Sequence, residues 1–160
     1  MKKDHAYAVE LPYWQAPNDD LLLMSKGDSL TAFFKIWSSA SKYSKFTGIF
    51  DFSSVWAVRY ERNKDLRYYK NREEDDFVSC YWVVSESSWL EQLKKERCSF
   101  FPDWEKYNVI KYTHYIIQSD SFYIEVIAKD IKISRKKWSK FIYLFIKTGG
   151  EITSSRLFII

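Results

Sequence analysis

Cysteine, proline and glycine are scarce in this chain, which has 2, 3 and 4 of them among 160 residues. Cys80 and Cys98 show no CxxC or other metal-ligand spacing, so we expect two reduced thiols and no disulfide framework. The four glycines form neither a GxGxxG fingerprint nor a Walker loop. The usual glycine-rich phosphate cradles are therefore excluded.

Histidine is equally rare, and the two present, His5 and His114, lie far apart in the chain. No HxH, HExxH or EF-hand spacing occurs, so the sequence predicts no metal site and no cofactor. Long apolar runs are also missing, since none approaches the roughly 18 residues that cross a bilayer. The first residues, MKKDHAYAVELPYW, lack the charged-then-apolar order of an export signal. We expect a cytoplasmic protein that does not enter membranes.

Aromatic residues, in contrast, are abundant. They make up 19% of the chain, and hydrophobic residues make up 46%. That content excludes general disorder and favours well-packed strands. With no repeat and no linker, we expect residues 1–160 to form a single domain with its own core.

Two segments show helical patterns. Leu30, Phe33, Phe34 and Trp37 fall at i, i+3, i+4 and i+7, which predicts a helix over 29–46 that ends before a glycine. The second segment, SESSWLEQLKKER, has capping-box spacing between Ser88 and Glu91, although Ser85 or Ser87 could cap it instead.

The remaining patterns are typical of strands. They cover 6–11, 50–62, 77–84, the hairpin 114–128, and a last candidate pair, 141–148 and 151–160, around a Gly-Gly turn. The expected class is α+β, with a mainly antiparallel, twisted sheet of five to eight strands and two helices packed on one face. The alternative is a sheet curled into a barrel with the helices as lids. Whether 131–160 forms an ordered hairpin is left open.

The hairpin HYIIQSDSFYIEVIA raises the question of a chemical site. If opposed residue numbers sum to 239, His114 faces Glu125, and Asp120 falls in the turn. A histidine beside a carboxylate is the arrangement of an oriented general base. The simpler interpretation, which we prefer, is a polar pair on the less buried face of the hairpin.

Two charged segments are candidate binding surfaces. Residues 61–76 hold six acids and five bases, and are either a solvated loop or a docking patch for a basic partner. The candidate contact residues there are Tyr68, Tyr69, Glu73, Glu74, Asp75 and Asp76.

Residues 131–160 carry a net charge of +6, which leaves −2 for residues 1–130. The segment 132–140 is either a connector or a nucleic-acid contact. Its candidate residues are Lys132, Arg135, Lys136, Lys137, Trp138 and Lys140.

The segments YWVVSESSWLEQL (81–93) and HYIIQSDSFYIEVIA (114–128) resemble those of small bacterial α+β immunity-type proteins, which are encoded beside toxins. The resemblance implies a cytoplasmic, non-enzymatic protein that blocks a cognate toxin, and it carries over no functional residue. We therefore expect a protein-binding domain of undetermined oligomeric state. The alternatives are a small hydrolase-like enzyme that uses His114 and Glu125, and a nucleic-acid-associated module that uses the basic segment.

Overall fold

The computed structural model describes residues 4–62 and 79–137 of the chain. Within them lies one seven-stranded antiparallel sheet, with strand order β1-β5-β6-β7-β4-β3-β2, and two short helices. In chain order the elements are β1 His5–Ala8, β2 Leu22–Lys26, β3 Ser29–Ser39, β4 Lys42–Glu61, β5 Tyr81–Ser85, α1 Ser88–Phe100, α2 Trp104–Tyr107, β6 Thr113–Gln118 and β7 Tyr123–Lys137. The mainly antiparallel α+β prediction is confirmed at this level.

The helix predicted over 29–46 is wrong, because this segment forms β3 and the start of β4. Leu30, Ala32, Phe34 and Ile36 are all buried, which is the two-residue period of a strand that packs on one face. The strands turn at Ser41, whose φ of 59° is in the left-handed region. The segment thus contains both a helical and a strand period, and cross-strand packing selects the strand.

Strands β4 and β7 are the longest and form the centre of the sheet. Their register shifts where Val55 pairs with Ala128 and Ala57 pairs with Ile127, so Trp56 is the extra residue of a bulge. A bulge bends its strand and re-aims a side chain. Here that side chain is the indole of Trp56, which lines a surface cleft together with residues of the two helices.

The sheet curls over its own core. Phe50 and Phe52 of β4 reach the rings of Tyr81 and Tyr115 on β5 and β6, each with ring centroids 5.6 Å apart. These strands are separated within the sheet by β7, so the contacts cross its concave side. Backbone hydrogen bonds of the segment 9–16 link Val9 to β5 and two further residues to β3, and so join both halves of the sheet.

The β6–β7 hairpin is correctly located, but its register differs from the expected one. Gln118 pairs with Tyr123 and His114 pairs with Ile127, so opposed numbers sum to 241 around the loop 119–122. A shift of two residues leaves every side chain on its expected face, whereas a shift of one would reverse them. The predicted core face is confirmed, with Tyr115, Ile117, Ile124 and Val126 among its buried residues. Asp120 lies in the loop, as expected.

The second predicted helix is α1, and its cap is the alternative residue Ser87. The Ser87 hydroxyl accepts the backbone N–H of Leu90, at 3.0 Å. The first residue of the helix is held differently, because the Ser88 N–H donates to the Asp4 carboxylate. A second short helix, α2, was not among the predicted elements.

Several predictions fall outside the described residues. They concern Tyr68, Tyr69, Glu73, Glu74, Asp75, Asp76, Trp138, Lys140 and the candidate strands 141–148 and 151–160. Within residues 4–62 and 79–137, neither helix has the length and apolar character needed to traverse a lipid bilayer.

Candidate functional site

His114 and Glu125 do meet, although they are not directly opposed. Ile127 lies opposite His114 and Ile116 lies opposite Glu125, so the polar pair is diagonal across the hairpin. His114 Nε2 lies 2.8 Å from Glu125 Oε2. Both residues are 1% exposed, which corrects the expectation of a polar pair on the less buried face. Diagonal neighbours are within reach of long side chains, which explains how the contact survives the register change.

Residues distant in sequence extend this pair. The Arg59 guanidinium on β4 donates to Glu125 Oε2, with Nη2 at 2.7 Å. At the other end, the Ser87 hydroxyl and His114 Nδ1 share a hydrogen bond of 2.8 Å. We call Arg59, Glu125, His114 and Ser87 the polar row. It runs from the central strand β4, through β7 and β6, to the start of α1.

Trp89 on α1 packs against the polar row. Its ring lies 4.1 Å from the Arg59 guanidinium carbon and makes an edge contact with the His114 ring, with centroids 5.2 Å apart. A cation over an indole face is stabilised by the ring quadrupole, more strongly where water is excluded. Trp89 lies in the second predicted helix, and the sequence gave no signal that tied it to His114. Arg59 and Ser87 gave no signal that tied them to His114.

The order serine, histidine, glutamate is that of an activated nucleophile, and a base must reach a proton on its substrate. Here the Ser87 hydroxyl also caps α1, and the side chains of His114 and Glu125 are 0% and 2% exposed. This burial favours a structural role, in which the row attaches the start of α1 to the sheet. Among the described residues, moreover, no group of three His, Cys, Asp or Glu side chains could hold a metal ion.

Several strongly exposed apolar residues lie at the other end of α1. Pro102 cannot continue the helix, so the chain turns there into α2. Four side chains around this turn, which we call the aromatic corner, are exposed by 73%, 57%, 83% and 95%. They are Phe100, Phe101, Tyr107 and Val109.

A cleft of about 750 Å³ opens beside the aromatic corner. Its aromatic wall joins the β4 bulge to the helices, because Trp56 contacts Trp104 at 5.4 Å and Tyr112 at 4.9 Å between ring centroids. Arg97 and Asp103 supply one charge of each sign to the lining. The sequence did not predict this cleft, since Trp56 falls in the predicted strand 50–62 and no element was predicted between the second helix and the hairpin.

The segment 132–140 was predicted to be either a connector or a nucleic-acid contact. Its described basic residues all belong to β7, and they are Lys132, Arg135, Lys136 and Lys137. They do not share one face. Arg135 pairs with Gly48 and stacks on the rings of Tyr13 and Phe46, at 5.2 and 4.7 Å. Lys132 and Lys136, three residues and one residue away, project to the opposite face. The predicted patch is thus divided by the pleat of the strand.

Among known proteins, no family model matches this chain, and neither the curated proteins nor the solved structures contain a significant match.

Proposed function

We propose that this chain is a protein-binding domain and that the aromatic corner with its adjoining cleft is the contact surface. The observation that carries the proposal is that Phe100, Phe101 and Tyr107, each exposed by more than half, line the same cleft. Contiguous apolar surface rimmed by polar residues is typical of interaction sites. Aromatic residues and arginine are also the types that most often dominate binding energy.

The cleft indicates what the partner presents. Its wall of Trp56, Trp104 and Tyr112 is apolar, and its volume lies in the range of sites that enclose a bulky group. Arg97 and Asp103 carry opposite charges, so the surface has no strong preference for either sign. We infer a partner protein that inserts an apolar side chain into the cleft and covers the aromatic corner around it.

This proposal takes α1 and α2 to pack on one face of the sheet. Supporting it, Trp89 of α1 contacts His114, and Trp104 of α2 contacts Trp56. The polar row would then hold the start of α1 in place, and the two indoles would hold the corner. A rigid display of exposed rings lowers the entropy lost on binding.

The resemblance to immunity-type proteins suggests the biological class of the partner, a bacterial toxin that the domain would inhibit. It rests on the texture of residues 81–93 and 114–128, and the aromatic corner lies between those two segments. Inhibition requires no chemistry from this chain, in keeping with a polar row that is buried. Tyr68, Tyr69 and the acidic residues 73–76 remain predicted contacts.

The test is quantitative binding to the protein encoded beside this gene. The full chain would be compared with the double variant Phe100→Ala/Tyr107→Ala and with the control Lys94→Ala/Lys95→Ala, which alters another part of α1. We expect the aromatic variant to bind at least about tenfold more weakly, because hot-spot truncation removes 2 kcal/mol or more. The control should bind as the wild type does. Equal affinity of all three proteins would contradict the assignment of the surface.

A further inference from the structure

A second surface lies on the side of β3, β4 and β7 opposite the core. In β3 the even-numbered side chains from Leu30 to Ile36 are buried, so the odd-numbered ones face outward. The register brings the corresponding side chains of β4 and β7 beside them. We call this surface the outer face, and its relevant residues are Lys35, Trp37, Tyr43, Lys45, Lys132 and Lys136.

One row of the outer face is aromatic. Tyr43 pairs with Trp37 across β4 and β3, and the Trp37 backbone bonds to Trp14, whose ring makes an edge contact at 5.5 Å. Tyr43 and Trp14 are 51% and 48% exposed. Three aromatic rings therefore follow one another across neighbouring strands, with the outer two open to solvent.

The next row is cationic. Thr47 pairs with Lys35 on one side and with Lys136 on the other, and Lys45 lies between Thr47 and Tyr43, where the register of β3 and β4 shifts. The Lys35 amine lies 5.0 Å from the centre of the Tyr43 ring and the Lys45 amine lies 5.6 Å from that of Phe46, so each amine adjoins an aromatic ring. Lys45 and Lys136 are exposed, whereas Lys35 is held by Asp19 at 2.5 Å.

Asp19 also orders the aromatic row. Its carboxylate accepts the Tyr43 hydroxyl at 2.7 Å, and the Lys35 amine lies 5.0 Å from the centre of the Tyr43 ring. The hydrogen bond to Asp19 raises the pKa of Tyr43, so the phenol stays protonated and uncharged well above neutral pH. Its ring is thus fixed as a neutral, flat surface at the edge of a positive region.

We propose that the outer face binds single-stranded nucleic acid, with phosphates on Lys45, Lys132 and Lys136 and bases stacked on Tyr43 and Trp14. Proteins that bind single strands without sequence preference combine a cationic track with exposed aromatic rings. A plain anionic membrane or an acidic peptide would use the lysines, but it would gain little from the rings. The aromatic row is the reason to favour a nucleic acid.

This inference is independent of the protein-binding proposal, because the two surfaces share no residue. It also changes the predicted basic site. Arg135 stacks on Tyr13 and Phe46, and Lys45 of β4, at the register shift with β3, is added to Lys132 and Lys136. Sequence order alone could not bring Lys45, Tyr43 and Trp14 together with β7.

The experiment measures fluorescence anisotropy of a labelled oligothymidine of about twelve nucleotides with the full-length protein, from about 50 to 200 mM salt. We expect the logarithm of affinity to fall against that of salt with a slope of about −2, since each neutralised phosphate of a single strand contributes about −0.7. Lys45→Ala/Lys136→Ala should make the slope shallower by about 1.4. Lys94→Ala/Lys95→Ala, with the same loss of charge, should leave it unchanged.

Stacking is tested separately by two substitutions of one residue. Tyr43→Ala should weaken binding about tenfold, whereas Tyr43→Phe keeps the ring and should bind as the wild type does. Tyr107→Ala, in the aromatic corner, is the control for loss of an exposed tyrosine elsewhere. Thermal unfolding of each variant would establish that the sheet is intact.

Four results would overturn the inference. The first is no anisotropy change at the lowest salt concentration. The second is equal affinity of Tyr43→Ala and wild type, because a surface that binds without its rings is only a cationic patch. The third is equal binding to vesicles with anionic headgroups, which would make the outer face a membrane-contact surface. Loss of oligonucleotide binding in the Tyr107→Ala control would likewise contradict the assignment to the outer face.

Discussion

At the scale of single residues, the close approach of Phe34 to Gly48 leaves no room for a side chain at position 48. The two residues are paired across β3 and β4, and the Phe34 ring occupies the space that a side chain at 48 would need. Glycine is required here for its lack of a Cβ atom. The sequence placed the same residue after a helix, where a left-handed backbone would have been the reason for it.

Gly48→Ala is therefore expected to lower the free energy of unfolding by about 1–3 kcal/mol, the usual effect of overpacking a core. Chemical denaturation would measure it. The matched test is the double variant Gly48→Ala/Phe34→Leu, in which the smaller side chain makes room for the new methyl group. Its loss of stability should be smaller than the sum of the two single losses, and simple additivity would exclude the overlap as the cause.

Glu125 is the second residue on which stability depends, because its carboxylate lies between Arg59 and His114 while almost fully buried. Glu125→Gln keeps the shape and removes the charge, and we expect a loss of about 3 kcal/mol, typical of breaking a buried ion pair. Glu61→Gln is the control, since Glu61 approaches the same guanidinium only at 4.0 Å and is more exposed. Equal losses from both variants would show that the contacts of Glu125 with Arg59 and His114 contribute little.

How well the sequence could predict the polar row depends on how far apart its residues lie in the chain. His114 and Glu125 belong to one hairpin, where strand alternation is enough to put them on one face. Arg59 lies on β4, and Ser87 is the cap of a helix whose start had three candidate residues. Their contacts depend on the strand order β5-β6-β7-β4, which no local pattern specifies.

At the scale of elements, the β6–β7 loop is held by a residue from outside its hairpin. Asp20 accepts hydrogen bonds from the Ser121 N–H and from the hydroxyls of Ser119 and Ser121, each at 3.1 Å. The sequence predicted the turn of this hairpin but gave no sign that Asp20 stabilises it.

Asp20→Ala should destabilise the fold by about 1 kcal/mol, the typical net value of a protein hydrogen bond, and loosen this loop in particular. Amide hydrogen exchange at Ser121 would show the effect as faster exchange, with β4 and β7 unchanged. Asp103→Ala, in a distant turn, provides the comparison. Unchanged exchange at Ser121 in the Asp20 variant would mean that the hairpin fixes its own loop.

The elements that the sequence predicted correctly are those with a single dominant pattern. The hairpin alternates cleanly, and α1 has both a capping serine and an apolar face. The segment 29–39 instead satisfies two periods, i to i+4 through Leu30 and Phe34 and i to i+2 through Leu30 and Ala32. Pairing with β4 on one side and β2 on the other decides between them, and that information lies in other parts of the chain.

At the scale of the whole molecule, the curl of the sheet separates two kinds of surface. The concave side is filled by aromatic rings of β4, β5 and β6, so the surfaces available for binding are elsewhere. The aromatic corner is built where the β4 bulge meets the helices, and the outer face lies along β3, β4 and β7. Variants of Tyr107 and Tyr43 therefore test the two proposals separately.

The same curl determines how stability responds to alkaline pH. Burial raises the pKa of Tyr81, and the pKa of Tyr115 beside it is raised for the same reason. Below about pH 10, the usual pKa of tyrosine, both phenols are protonated in the folded and unfolded states, and their contribution to stability is fully present. Above it the unfolded chain loses these protons first. The free energy of unfolding should therefore fall as the pH rises from about 10 toward the higher folded pKa values.

Tyr81→Phe removes one of the two ionisable groups, so its free energy of unfolding should fall less steeply with pH than that of the wild type. Chemical denaturation at about pH 9, 10 and 11 would give the two slopes. Tyr107→Phe is the matched control, because a phenol that is 83% exposed in the folded protein meets much the same solvent in the unfolded chain. If Tyr81→Phe and the wild type lost stability in parallel, the burial of Tyr81 would not be the source of the alkaline dependence. Another group would then have to release its proton on unfolding in that range.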